Sequence, residues 1–250
     1  MGKMRLDALL LERGMAISLA QARAWIMDGK VLVGEQPLTK PGTPVAADAA
    51  VRLLGRATPW VSRGGSKLAH GLDTLALSVE GACCLDVGSA TGGFVDVLLQ
   101  RGAAKVYAMD VGYGQLAWSL AQDPRVVVLD RTNIRFAERT LIPDAIDFLT
   151  MDVSFMGLSQ ALPPALHFLS AGGCGVVLLK PQFELPRGRM MPGGVVRDPA
   201  LHQEAAALCE QLLATLGLEL LGSTPSPIAG PKGNREFLYG FRKGEREFPS

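Results

Sequence analysis

Apolar residues near the start of the chain recur at the spacing of two short helices. Leu6, Leu9 and Leu10 share one predicted helix face. Ser18 followed by Gln21 has the form of a capping box, which begins a second predicted helix. Short apolar runs then predict strands at Val31–Val33 and around Val45, Val51, Leu53 and Leu54. The pattern indicates a small α+β domain over residues 1–58, with the joint at Ala57-Thr58-Pro59.

From Cys83 onward, predicted strands alternate with predicted helices. The strands are Cys83–Val87, Val106–Asp110, Val126–Leu129, Ile146–Met151 and Val176–Leu179. The helices lie at Gly93–Gln100, at Gln115–Ala121, at Leu158–Leu169, and from an Asp198-Pro199 start to Gly217. The closing segments Leu218–Leu221 and Glu236–Phe241 are predicted to form an antiparallel pair. Residues 59–250 are therefore expected to form an α/β domain with a mostly parallel, Rossmann-like sheet and an antiparallel edge strand.

The long uncharged stretch Val153–Leu179 exceeds the length needed to cross a bilayer. Its composition argues against a spanning helix, because Pro163-Pro164 would interrupt it and Gly172, Gly173 and Gly175 predict a turn. We therefore expect a helix followed by a buried strand.

Charge is distributed unevenly along a chain whose net charge is only +1. Residues 1–70 carry ten Lys and Arg against five Asp and Glu, which gives +5 and leaves −4 for the remainder. A basic head suggests contact with a polyanion, although a chance fluctuation would look the same. The four cysteines are not in CxxC spacing and the three histidines are not in HExxH or HxH spacing, so we expect a cytoplasmic protein with no metal site.

The most specific local pattern is a glycine-rich loop between the first predicted strand and helix of the larger domain. It runs Leu85-Asp86-Val87-Gly88-Ser89-Ala90-Thr91-Gly92-Gly93-Phe94 and does not have the GxGxxG spacing of dinucleotide sites. Asp86 would disfavour a diphosphate and suit the cationic amino-acid end of S-adenosylmethionine. Asp110 ends the next strand, where an acid commonly binds ribose hydroxyls. Asp130, which ends the third strand, could approach an adenine or be a solvated turn residue.

These motifs, with others along the chain, resemble the TlyA family of bacterial rRNA 2′-O-methyltransferases, often called haemolysins. The catalytic half is similar to the FtsJ/RrmJ group. The matching segments include Arg5-Leu6-Asp7, Val61–Leu68, Asp110–Trp118, Arg131-Thr132-Asn133, Asp152–Phe155, Lys180–Glu184, Gly193–Pro199 and Gly233–Glu236. The resemblance runs from Arg5 to about Arg242.

The resemblance implies a catalytic tetrad of Lys67, Asp152, Lys180 and Glu236. Lys180 would be the base that accepts the ribose hydroxyl proton, because two neighbouring, partly buried lysines disfavour each other's protonation. Asp152 would orient it, and Lys67 and Glu236 would hold the ribose and the lysine network. The cofactor implied is S-adenosylmethionine, bound by Asp86, Gly88, Ser89, Thr91, Gly92, Gly93, Phe94, Asp110 and Asp130.

The first domain resembles the alpha-L RNA-binding motif of ribosomal small-subunit protein S-four. It departs from that motif at Ser18-Leu19 and Gly34-Glu35, where Ser-Arg and Asn-Gly are common. The basic residues expected to contact RNA phosphates are Arg5, Arg23, Lys30, Lys40 and Arg63. The implied substrate is cytidine in ribosomal RNA. The alternatives are a non-catalytic rRNA-binding or assembly factor, which would have lost a tetrad position, and a membrane-active haemolysin.

Overall fold

The computed structural model describes residues 2–16, 18–27, 29–53, 58–189 and 193–245. Contacts divide the chain into two compact units, Met1–Pro59 and Trp60–Ser250. Leu54 and Ala57, on which a predicted strand and the predicted joint depend, lie outside the described residues.

The first unit has two helices and two small antiparallel sheets. Its strands are β1 (Lys3–Arg5), β2 (Val31–Val33), β3 (Gln36–Pro37), β4 (Pro44–Ala46) and β5 (Val51–Leu53), and its helices are α1 (Leu6–Glu12) and α2 (Leu19–Met27). Strand β1 pairs with β4, and β2 lies between β3 and β5. The predicted capping residue is confirmed, because the Gln21 backbone N–H donates to Ser18 Oγ at 3.1 Å. Leu6, Leu10 and Ile26 are fully buried and form the centre of its core.

The second unit is built on a seven-stranded sheet. Its strands are β6 (Cys83–Val87), β7 (Lys105–Met109), β8 (Val126–Leu129), β9 (Ile146–Met151), β10 (Leu169–Leu179), β11 (Leu218–Pro225) and β12 (Phe237–Lys243). In the order β11-β12-β10-β9-β6-β7-β8, the five strands from β10 to β8 are parallel. Strand β12 is antiparallel to both β10 and β11, so this end of the sheet is the predicted antiparallel edge.

Helices cover both faces of this sheet. They are α3 (Gly65–Thr74), α4 (Gly93–Gln100), α5 (Trp118–Ala121), α6 (Leu158–Ala165), α7 (Pro181–Glu184) and α8 (Pro199–Thr215). Leu68 of α3 and Leu98 of α4 pack in one core cluster, whereas Leu162 of α6 and Ala205 of α8 belong to the other. The Rossmann-like class expected from the alternating pattern is confirmed.

Two sequence-based boundaries are wrong for local reasons. Strand β10 begins at Leu169 rather than Val176, and the glycines predicted to form a turn lie within it. Gly172 and Gly173 fall at a break in register between Leu169 and Cys174, whereas Gly175 is paired with Leu149 of β9. Gly172 has φ of +74°, which lets the strand bulge instead of reversing. Helix α5 begins only at Trp118, because Ala117 has a ψ of 135°, outside the helical region, and its N–H donates to the Thr91 carbonyl oxygen at 3.1 Å.

Two further predictions concern helices. Helix α6 ends at Ala165 rather than Leu169, and Pro163 and Pro164 lie inside it. Helix α3, which carries Lys67, has no counterpart among the helices predicted from the pattern. Across the described ranges, no helix has both the length and the apolar character required to cross a membrane.

Candidate active site

The glycine loop lies at the carboxyl end of β6, where the parallel strands of the sheet terminate. The Gly88 and Ser89 N–H groups both donate to the Met109 carbonyl oxygen, at 2.8 and 3.1 Å. Gly88 has φ of +86°, and a Cβ atom there would lie 2.6 Å from the Asp152 carbonyl oxygen. Only glycine fits this position, and because it has no side chain the loop lies directly against the residue that follows β9.

Asp86, two residues before Gly88, is fully buried. Its Oδ1 accepts a hydrogen bond from Thr150 Oγ1 at 2.6 Å, whereas its Oδ2 has no partner among the described residues. Burial raises the pKa of Asp86 to about 7, against the lowering effect of the Thr150 hydrogen bond. A buried acid with an unpartnered oxygen is a position that a cationic ligand group could complete.

Asp110 and Asp130 hold the loops that follow their strands. Asp110 accepts N–H bonds from Ala90 at 2.9 Å and from Gly112 at 2.7 Å, and so joins the glycine loop to the end of β7. Asp130 accepts the Gly114 N–H at 2.9 Å. Asp110 also lines a cavity at this edge, but Asp130 is not among the described residues that line it.

That cavity has a volume of about 430 Å³, which is in the range of small-molecule sites. It is lined by Val87, Gly88, Ala90, Met109, Asp110, Val111, Gln115, Thr132, Asn133, Ile134, Asp152, Val153, Ser154, Phe155 and Met156. A smaller one of about 150 Å³ is lined by Ser62, Gly64, Gly88, Ser89, Ala90, Thr91, Gly93, Phe94 and Asp152. Gly88, Ala90 and Asp152 border both spaces. Of the predicted cofactor residues, Asp86, Gly92 and Asp130 do not line either space within the described part of the chain.

The four predicted catalytic residues form two lysine–carboxylate pairs. Lys67 Nζ lies 2.5 Å from Glu236 Oε2, and both side chains are buried. Lys180 Nζ lies 2.5 Å from Asp152 Oδ1 and also donates to Ser154 Oγ at 3.0 Å. Each buried lysine therefore has a carboxylate against it, which offsets part of the cost of burying the charge.

Strand register explains why these pairs meet at one end of the sheet. Leu179 of β10 is paired with Phe237 of β12, so Lys180 and Glu236 occupy the next positions on adjacent strands. Asp152 follows Met151, the last residue of β9, on the other side of β10. Helix α3, which contacts β10 and β12, supplies Lys67.

The predicted RNA-contacting residues have different environments. Arg5 and Arg23 both donate to the carboxylate of Asp7, and Lys40 is exposed while Lys30 is half-buried. In the second unit, Arg63 donates to the Ala229 carbonyl oxygen at 2.7 Å.

Sequence reasoning did not single out two cavity residues, Ser154 and Phe155. Phe155 is 94% exposed and has φ of +71°, which is unusual for a bulky residue. Both belong to the segment Asp152–Phe155, which is one of the segments that match the family, so the sequence did mark this part of the chain.

Comparisons with known proteins define the class of this fold and site. A family model described as FtsJ-like methyltransferase matches residues 60–243, and one described as S4 domain matches residues 4–51. The second unit thus belongs to the FtsJ-like methyltransferases.

Individual relatives narrow this class. The chain is 44% identical to the 16S/23S rRNA (cytidine-2′-O)-methyltransferase TlyA of Mycobacterium tuberculosis, over 95% of this chain and 89% of that protein. It is 35% identical to Hemolysin A of Brachyspira hyodysenteriae, over 95% and 99% of the two chains. A solved structure of a candidate hemolysin from Streptococcus thermophilus has a TM-score of 0.76 at 38% identity, over 98% of this chain and 90% of that one. The chain belongs to the TlyA family of FtsJ-like methyltransferases, as the sequence motifs predicted.

Proposed function

We propose that this enzyme transfers a methyl group from S-adenosylmethionine to the 2′-hydroxyl of a cytidine ribose in ribosomal RNA, and so acts in the cytoplasm. The observation that carries the proposal is the pair of buried lysine–carboxylate contacts, Lys67–Glu236 and Lys180–Asp152, at the strand ends, where Asp152 also lines the cavity. The names of the relatives favour the same substrate.

Residues at the carboxyl ends of β6 and β7 fit this cofactor. The unpartnered Oδ2 of Asp86 would complete its hydrogen bonding with the cationic amino group, and the close approach at Gly88 leaves backbone rather than side chain at the loop. Asp110, at the end of β7, would hold the ribose hydroxyls. When bound, the cofactor supplies a methyl group on a cationic sulfur, which departs as a neutral thioether.

The difficulty of the reaction lies in the nucleophile, since a ribose hydroxyl is weakly nucleophilic until its proton leaves. As the neutral amine, Lys180 accepts that proton on the lone pair of Nζ while the hydroxyl oxygen forms its new bond to the methyl carbon, and Asp152 stabilises the ammonium that results. Asp152, 2.5 Å from Lys180 Nζ, fixes the position of the amine, and Ser154 Oγ holds it from a second direction. Lys67 and Glu236 hold the ribose and keep its hydroxyl aimed at the cavity.

Phe155 gives the target base a surface. Its side chain lines the cavity and is almost fully exposed, next to the Asp152–Ser154 segment that contacts Lys180. An exposed aromatic ring beside a nucleotide site stacks on bases of any sequence. We infer that Phe155 stacks on the base whose ribose lies against Lys180.

The first unit binds the RNA. Lys40, Arg5 and Arg23 present cations at its surface, and phosphate contacts of this kind position RNA without reading its sequence. The match to the S4 domain, together with the net charge of +3 over residues 1–59, supports this role. Lys30 and Arg63 are proposed as further phosphate contacts.

The proposal is tested by incubating the purified enzyme with methyl-labelled S-adenosylmethionine and separated ribosomal subunits. We expect label in the RNA of at least one subunit. An enzyme that binds the cofactor but leaves both subunits unlabelled would contradict the proposal and favour a non-catalytic assembly factor.

A further inference from the structure

The chain reaches Glu236 through a tight turn, residues 230–234, that precedes β12. The Gly230 N–H donates to the Asn234 carbonyl oxygen at 2.9 Å, and the Gly233 N–H donates to the Gly230 carbonyl oxygen at 3.0 Å. The turn is therefore closed on itself directly before the catalytic carboxylate.

Other segments hold this turn from outside. The Asn234 side chain is buried, accepts the Val196 N–H at 2.9 Å and donates to the Gly194 carbonyl oxygen at 3.0 Å. Lys232 donates to the Gly193 carbonyl oxygen at 3.0 Å. Because Arg63 also binds the carbonyl oxygen just before Gly230, the turn is fixed on both sides and cannot readily move away from Glu236.

Gly230 lies against the Glu236 carboxylate. A Cβ atom at position 230 would lie 2.1 Å from Glu236 Oε1 and 2.7 Å from its Cδ, distances that require the carboxylate to move. The backbone of Gly230, with φ of −66° and ψ of 177°, is one that any residue adopts. The requirement for glycine here therefore comes from contact with Glu236 and not from backbone strain.

The carboxylate has little room to move. The Glu236 side chain is completely buried and its Oε2 lies 2.5 Å from Lys67 Nζ. Its Oε1, on the Gly230 side, has no hydrogen-bond partner in the described ranges. A displacement caused by position 230 would pass directly into the Lys67–Glu236 pair.

We propose that Gly230 is a positioning residue for the methyl-transfer reaction. Because Gly230 has no side chain, the turn can contact the Glu236 carboxylate directly. This contact sets the distance from the carboxylate to Lys67 Nζ. The inference rests on the proposed function, in which Lys67 and Glu236 hold the ribose.

The first test is Gly230→Ala, assayed for methyl transfer to ribosomal subunits. Since a misplacement of about 1 Å in a catalytic group can cost about 100-fold, we expect kcat to fall by about that factor. The KM for the cofactor should stay unchanged, because Glu236 is assigned to the ribose of the RNA and not to the cofactor. Gly188→Ala is the matched control, because its Cβ would meet open space and its φ lies outside the left-handed region. Wild-type or Gly188→Ala protein without activity would count against the proposed function instead.

A double-mutant comparison separates positioning from general damage. In a Glu236→Asp background the shorter side chain leaves space for the Cβ, so adding Gly230→Ala should cost no further activity. This comparison also holds if Gly230→Ala alone fails to fold. The inference is overturned if Gly230→Ala keeps wild-type kcat, or if it lowers kcat by the same factor in the Glu236→Asp background as in the wild type.

Discussion

Each of the two units contains a fully buried aspartate, and the two aspartates differ in their hydrogen-bond partners. Asp7 of the first unit accepts hydrogen bonds from Arg5 and Arg23, and those of Arg5 lower its pKa to about 2. Asp86 of the second unit has one hydroxyl partner and an unpartnered oxygen, and burial raises its pKa to about 7. A buried aspartate whose oxygens are both paired with protein groups indicates a structural role. A buried aspartate with an unpartnered oxygen indicates that a ligand supplies the missing hydrogen bond.

The cationic side chains of the two units differ in their exposure to solvent. Arg5 and Arg23 side chains are 57% and 51% exposed around the buried Asp7, so they stay available to a large polyanion. Lys180 is 9% exposed and Lys67 8%, so only a group that enters the strand-end site can reach them. The same ion-pair chemistry thus leaves cations exposed in one unit and encloses them in the other, as the proposed RNA-binding surface and the proposed reaction site require.

From this comparison we expect the largest effect on catalysis at Lys180. Lys180→Ala should lower kcat by about 1,000-fold, within the range for loss of a general base, and leave cofactor affinity unchanged. Steady-state methyl transfer and calorimetric titration of the cofactor would measure the two quantities. Lys105→Ala is the control, because Lys105 pairs with Asp144 at 2.6 Å but is 39% exposed, at the opposite end of its strand. Equal loss of kcat and cofactor affinity in Lys180→Ala would count against its assignment as the base.

The next effect is expected at Asp86. Asp86→Asn removes a charge-assisted contact and should weaken cofactor binding by about 10-fold or more. Because the carboxyl must be ionised to bind a cation, wild-type affinity should fall as pH drops below about 7, and this dependence should disappear in Asp86→Asn. Calorimetric titrations between pH 5 and 8 would measure both effects.

Stability gives an independent check on Asp86. Its raised pKa means that the stability contributed by the protonated carboxyl is lost as pH rises through about 7. Asp86→Asn should therefore gain stability relative to the wild type as pH increases. Asp147→Asn is the control, because Asp147 is exposed and accepts the Cys83 N–H far from the cavity. An Asp86→Asn variant with wild-type cofactor affinity would make Asp86 structural, like Asp7.

Phe155 is expected to give a smaller effect, confined to RNA. Stacking of one base on an aromatic ring contributes about 1–3 kcal/mol, so Phe155→Ala should raise the KM for ribosomal RNA by about 10-fold. Phe136→Ala is a matched control, since Phe136 is also exposed but does not line the cavity. If both variants changed KM equally, the stacking assignment would fail.

The smallest effect on catalysis is expected at Asp7. Asp7→Asn should lower the free energy of unfolding by about 2 kcal/mol at pH 7, because ionised Asp7 is held by two guanidinium groups. Its pKa is lowered, so this stabilisation is present above about pH 4 and is lost as pH falls to about 2. Denaturant unfolding across this pH range would measure it. A change in kcat without a change in stability would contradict the structural role.

Much of the second unit could be predicted from local pattern, because buried parallel strands are short apolar runs and Asp198 caps α8 as its position indicated. Helix α3 could not, since Gly64 and Gly65 at its start are typical of a turn and its burial depends on β12, distant in sequence. The same holds for the candidate site. The strand ends and motifs indicated which residues to consider, but which carboxylate meets which lysine, and the contact between Gly230 and Glu236, arise only from strand register and packing.

The central claim is that Lys180 accepts the proton of a ribose hydroxyl. It is tested most directly by digesting methyl-labelled ribosomal RNA to nucleosides and identifying the labelled nucleoside by mass spectrometry. The wild-type enzyme should produce 2′-O-methylcytidine, and Lys180→Ala should produce it about 1,000-fold more slowly. Label on a base atom, or 2′-O-methylation by Lys180→Ala at the wild-type rate, would contradict the account.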